Sequence, residues 1–353
     1  MRAFYLIIRI YLWNNKHYDY MEIRRLYKKI LERKDLWNYY NKDLKAPDIT
    51  DTDDCYRFIT EYIEYSEKSK TVLFENVKCL SEHSPQRLSH IVSTFFLGLW
   101  FYHNMSSRFL HNSIKNELKK LSCFQNDYDD IEKQFTFVWF MATLFHDLGY
   151  PAEDKEGGTN MPYHDIPISG SVPDFYRYVY NDYYAYRKNK EHGIFAGMTF
   201  DKDICDIRRF QSIDSSSHLD WKEELEELYH YVAWIVLSHN IWMIRDNDKS
   251  VEAYKKAGLK NLILYSEKNE KGLYVDYKIR FENYPLFTFF CIVDTIEPLK
   301  SSSCLFDIDI QLKHGKIIIE SNDSVYLQKI KGLNDWLTPT TEENDTVIIH
   351  LRM

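Results

Sequence analysis

Apolar runs of helical length, each broken by one or two polar side chains, recur along this chain and set its organisation. The most telling covers residues 137–151, FVWFMATLFHDLGYP. Its almost unbroken apolar stretch predicts a buried helix that runs into His146 and Asp147, with Gly149 and Pro151 closing the segment. An imidazole and a carboxylate set against such a run are costly unless they bond to each other or hold a metal ion. The same dipeptide occurs again at His164-Asp165, but there it stands in a Pro- and Gly-containing stretch with no apolar helix behind it and reads as loop.

The remaining pattern is mostly helical. Residues 20–40 space apolar side chains at helical intervals with basic residues between them, a solvated amphipathic helix. Residues 55–80 read as a further helix. Ser84 and Pro85 open the next, over 86–103, because Ser caps well and Pro suits the first turn; it carries His90 into the apolar segment IVSTFFLGLWF. A polar helix is expected over 112–122. Residues 152–190, with Gly157-Gly158 and the tract FYRYVYNDYYAYRK, form a long irregular insert, either a lid or a cover for a neighbouring surface. The small residues of EHGIFAG, at 191–197, allow close helix approach, and His192 stands at its start. A second apolar helix, 231–244, is interrupted by Ser238-His239-Asn240; 246–283 suit a hairpin; and the apolar run 284–299 buries Asp294. From Asp307 onward DIDIQL, KIIIE and TVIIHL read as strands around a helix over 325–337. The expected chain is mainly α, with an N-terminal helical region (1–83) packed on a helical domain (84–304, carrying the insert at 152–190) and a small C-terminal α+β appendage (305–353).

Composition narrows the partners. A net charge of -8 over 353 residues, with Lys and Arg scattered, makes duplex nucleic acid an unexpected partner but leaves room for a small anion in a local basic pocket. Six cysteines without a C-x-x-C pair point to a reducing cytosol. The apolar segment 4–13 is short and interrupted by Arg9, so neither a signal peptide nor a membrane span is expected, and a cytoplasmic location is.

The polar intruders, His90, His146-Asp147, His192, His239 and Asp294, follow one another at intervals of 56, 46, 47 and 55 residues. Each interval spans about two helices and their loops, which lets all six side chains meet on one side of a bundle. Four imidazoles and two carboxylates suit two first-row transition metals. In this order, and in the contexts QRLSHIVS, ATLFHDLGYP, EHGIFAG, VLSHN and FCIVDTIEP, they resemble the HD-domain superfamily of metal-dependent phosphohydrolases over residues 84–300.

The resemblance implies an HD-type helical bundle. His90, His146, Asp147 and Asp294 would hold one divalent ion, Asp147 would bridge, and His192 with His239 would hold the second, the ions being Mn, Fe, Co, Ni or Zn. It implies hydrolysis of a phosphate ester by a water activated between the two ions. Arg87, one helical turn before His90, would grip a phosphate; Arg177, Arg187, Lys188 and Lys190 in the insert are further cations. Tyrosines of the insert would stack on a base, favouring a nucleotide-like small molecule. Two features depart from known branches: Tyr150 stands where the cyclic-dinucleotide branch has Lys, and AEDKEGG does not resemble the triphosphohydrolase continuation. Some members of the superfamily use the same ligand order for a mixed-valence di-iron oxygenase, and a non-catalytic nucleotide-binding module is a third alternative.

Overall fold

The computed structural model describes residues 21–38, 43–63, 71–104, 108–121, 131–155, 191–211, 226–240, 264–268, 274–280, 284–300, 308–313, 316–338 and 347–351. The segment 4–13, the pair at 164–165 and most of the insert, 156–190, lie outside these residues, as do the insert's cations.

The protein is mainly helical. The strand β1 (Met21–Glu22) leads into α1 (Ile23–Glu32), which buries Ile23, Leu26, Tyr27 and Ile30, the spacing of one helical face. Asp51 caps α2 (Thr52–Tyr62) by accepting from the backbone N–H of Asp53 and Asp54. α3 spans Thr71–His83. The single helix expected over 55–80 is therefore two; the intervening 64–70, EYSEKSK, offers little apolar surface to bury and lies outside the described residues.

α4 (Gln86–Asn104) is buried continuously from Leu88 to Tyr102 and forms the axis of the bundle, with α1, α2, α6 (Ile131–Phe145) and α10 (Pro285–Ile296) packed on it. Between α4 and α6 runs α5 (Arg108–Leu118). Trp139 of α6 lies against Gly98, where a Cβ would fall 2.1 Å from its ring, and its indole N–H donates to the Phe95 carbonyl at 2.9 Å. The short α7 (Tyr150–Lys155) follows the His-Asp turn. α8 (His192–Gln211) and α9 (Glu226–Ser238) pack closely, as the small residues of 191–197 suggested, and α9 ends before His239.

Strands β2 (Leu264–Lys268) and β3 (Tyr274–Arg280) form the expected antiparallel hairpin. In the C-terminal part, β4 (Ile308–Lys313) and β5 (Lys316–Ser321) pair antiparallel, α11 (Ser324–Trp336) crosses over, β6 (Leu337–Thr338) joins β3, and β7 (Val347–Leu351) runs parallel to β5. The edge of this sheet is completed by β1, which pairs with β4. Two residues of strand are too few for a period-two pattern to reveal. One apolar cluster runs from Ile23 through the bundle to Ile330. Among the described residues no helix is long and apolar enough to cross a membrane.

Candidate metal centre

The six side chains come from five places: the first third of α4, the turn after α6, the start of α8, the turn after α9 and the end of α10. His90 Nε2 lies 2.9 Å from Asp294 Oδ1 and 3.2 Å from His146 Nε2, which is itself 3.4 Å from Asp294 Oδ1. Ligand atoms of these three buried residues all lie within 4.8 Å of one another, so His90, His146 and Asp294 can hold a metal ion. Asp147 joins them, with Oδ2 at 3.8 Å from His90 Nε2 and Oδ1 at 3.4 Å from His146 Nε2. The same Oδ1 stands 3.6 Å from His192 Nε2. The His239 ring centre is 5.2 Å from that of His192 and 5.5 Å from that of His146. All six residues picked from the sequence thus lie in one neighbourhood, with Asp147 between two groups of imidazoles.

Each ring is held from behind. His146 and His239 both stand one residue beyond the end of an apolar helix, and both direct Nδ1 at the carbonyl three residues back, Thr143 at 2.7 Å and Val236 at 2.6 Å. The identical anchoring follows from identical placement, since carbonyls in the last turn of a helix lack backbone partners. His90 Nδ1 lies 2.6 Å from Glu297 Oε2, and His192 Nδ1 lies 3.4 Å from Glu153 Oε2. With Nδ1 as the protonated nitrogen, each Nε2 keeps its lone pair for a ligand, the arrangement of histidines that hold metals. Asn240 donates to Glu191 at 2.8 Å and lies 3.3 Å from His192 Nε2.

The electrostatics also suit a cation. Burial works against an ionised Asp147, but the charges of His146, His90 and Arg87 outweigh it and hold its carboxyl below the usual range. Asp294 is held well below that range, against burial, by Lys300 and by hydrogen bonds from His146 and His90. Burial would lower His90, yet its bonds to Asp294 and Glu297 prevail and raise it to about 9, so positive charge is favoured between these carboxylates. Burial and the neighbouring His192 instead lower His239 to about 3, keeping it neutral. Two buried acceptors, Asp147 Oδ1 and His239 Nε2, have no hydrogen-bond partner. Orphaned lone pairs in a dry site are expensive, and a bound cation satisfies both.

Arg87 also lies at this cluster. Its Nη1 lies 3.4 Å from Asp147 Oδ2, and its guanidinium centre lies 4.1 Å over the ring of Tyr150, which stacks on His192 at 3.9 Å. Four contributors escaped the sequence reading: Glu297, Lys300, Tyr150 and Glu153. Lys300 Nζ lies 2.9 and 3.1 Å from the two Asp294 oxygens. A signal for Glu297 existed, because it stands three residues after Asp294 at the end of the same apolar run. Tyr150 and Glu153 follow Asp147 by three and six residues, in α7. Comparisons with protein-family models, with curated proteins and with solved structures give no match for this chain.

Proposed function

We propose that this protein is an HD-type, metal-dependent phosphohydrolase or phosphodiesterase that holds two divalent transition metal ions and cleaves a nucleotide-like phosphate ester. The observation that carries the reading is the gathering of four imidazole rings and two carboxylates in one buried neighbourhood, each ring with a non-metal partner at Nδ1. His90, His146 and Asp294 would hold one ion, His192 and His239 the other, and Asp147 would face both. Divalent ions in such a site polarise a phosphoryl oxygen and lower the pKa of a coordinated water toward neutrality.

The chain's own groups supply the rest. Arg87 stays cationic beside Asp147, and its stacking on Tyr150 orients the fork of donors toward a phosphoryl oxygen. Burial and the Asp147 charge raise the Tyr150 phenol, so that ring packs as a neutral platform for both Arg87 and His192. The apolar walls, Phe290 among them at 5.4 Å from the His146 ring, limit water at the reacting centre and strengthen the charge interactions there.

Metal analysis of untagged protein, followed by a panel of nucleotides and cyclic nucleotides with Mn²⁺, tests the reading. Retained transition metal with metal-dependent phosphate release supports it. Bound iron with O₂ uptake and no phosphate release would replace it by oxygenase chemistry, and nucleotide binding without turnover by a binding module.

A further inference from the structure

One carboxylate of the metal centre is already held by a cation of the chain itself. Lys300 Nζ lies 2.9 Å from Asp294 Oδ1 and 3.1 Å from Oδ2, so a single ammonium spans both oxygens. Oδ1 is also the atom 2.9 Å from His90 Nε2 and 3.4 Å from His146 Nε2, whereas among the described residues Oδ2 hydrogen-bonds to Lys300 alone. Asp294 is buried and Lys300 is largely covered, so the pair lacks the solvent screening that makes exposed ion pairs worth little. The lysine is also held in place. It ends the short 3₁₀ turn Pro298–Lys300, which packs on α4. Glu297 fixes that turn by accepting from the backbone N–H of Leu299 at Oε1 and of Lys300 at Oε2, and the same Oε2 orients the His90 ring.

A buried carboxylate without a cation is costly, and two cations on one carboxylate repel each other. We propose that Lys300 is a resident counter-cation of Asp294 that sets how tightly the ion at His90, His146 and Asp294 is held: its ammonium balances the carboxylate in metal-stripped protein, and an ion bound there must share Asp294 with it. Lys300 therefore stabilises the metal-stripped fold and weakens the ion, which keeps that ion exchangeable. A lysine that merely propped Asp294 as a ligand would act in the opposite direction, since its loss would misplace the carboxylate and loosen the ion. The inference deepens the proposed function and rests on its metal-binding part, not on its hydrolytic part.

The test uses the full chain, stripped with a chelator and titrated with Mn²⁺ against a chromogenic chelator, together with thermal unfolding with and without Mn²⁺. Lys300→Met keeps the apolar stem and removes the charge. It should bind one of the two ions about tenfold or more tightly than the wild type, unfold at a lower temperature when stripped, and gain more in Tm from Mn²⁺. Lys300→Gln, which retains a donor for Asp294 without the charge, should change in the same direction, and Lys300→Arg should stay near the wild type on both measurements. Unchanged or weaker Mn²⁺ binding by Lys300→Met and Lys300→Gln, with the wild type retaining metal, would overturn the counter-cation and leave the metal centre standing. No Mn²⁺ retained by any of the four proteins would remove both. Phosphate release, measured in parallel, separates the hydrolytic reading: tighter binding by Lys300→Met with no release from any of the proteins removes the hydrolase and keeps the counter-cation.

Discussion

His90 and Glu297, 207 residues apart in sequence, are joined by a hydrogen bond of 2.6 Å between Nδ1 and Oε2, with both side chains buried. Glu297 is fully engaged: it accepts from the Ser93 hydroxyl and from the backbone N–H groups of Leu299 and Lys300, and Ser93 in turn bonds the Tyr27 hydroxyl of α1. The N-terminal helix and the end of α10 therefore meet behind one imidazole. A carboxylate in that position fixes ring and tautomer and raises the basicity of the opposite nitrogen.

Glu297→Gln keeps an acceptor for Nδ1 but removes the charge. It should weaken retention of the ion at His90 by about ten- to a hundredfold, the usual cost of losing such a partner, while the helical circular dichroism is preserved. Competition against a chromogenic chelator measures this. Unchanged affinity would mean that Glu297 only fills space.

The six-residue cluster was legible because most of its members interrupt or end an apolar run, which is conspicuous, and their recurrence at similar intervals makes it more so. Glu297 gives a weaker signal, its place three residues after Asp294, because an acid before Pro298 also looks like an ordinary helix end. The carbonyls of Thr143 and Val236, which orient His146 and His239, carry no side-chain signal at all. In the fold, long apolar runs marked α4, α6 and α10, and the stretches DIDIQL and KIIIE marked β4 and β5. Pairing of β1 with β4 depends on how distant segments dock, which local periodicity does not encode. The division of Cys55–Leu80 into two helices was missed because apolar spacing was carried across a polar stretch.

In the proposed two-ion arrangement Asp147, whose Oδ1 lies near both His146 and His192, would face both ions, whereas His239 would be a ligand of one. Removing each should therefore have different consequences. Asp147→Ala should abolish retention of both ions and turnover, and His239→Ala should lower the metal content from about two ions per chain toward one. Elemental analysis of the two purified variants decides it. Equal metal content in wild type and Asp147→Ala would count against the shared-ligand arrangement.

Helix α8 starts at His192, α9 ends one residue before His239, and the two touch at Gly197, where an added Cβ would lie 2.6 Å from Leu237 Cβ and 2.8 Å from the Ala233 carbonyl oxygen. Replacing Gly by Ala inside a helix gains about 1 kcal/mol in propensity, but overpacking costs about 1–3 kcal/mol. Both clashing atoms belong to or adjoin backbone and yield little, so overpacking should win. Gly197→Ala is expected to lower the urea midpoint and, by spreading the helices, to weaken the ion at His192 and His239. A variant more stable than the wild type would show that the two helices are free to slide.

Asp203 offers a test of the scaffold that does not touch the metal centre. It is buried on α8, accepts from Asn76 Nδ2 of α3 at 2.7 Å, and burial, against the Asn76 bond and Lys202, pushes its pKa up to about 7. The folded state then holds a proton that the unfolded chain releases near the ordinary value of 3.8. Stability from this group is complete below pH 4 and is lost as pH rises through 7. At about 1.4 kcal/mol per unit the loss amounts to a few kcal/mol. Asp203→Asn keeps an acceptor for Asn76 and has no proton to lose. Its stability advantage over the wild type should grow between pH 4 and 7 and stay level above, as read from urea unfolding at several pH values. Parallel stability curves for the two proteins would mean that Asp203 is solvated well enough to ionise at its ordinary pKa and that the α3–α8 contact is open to water.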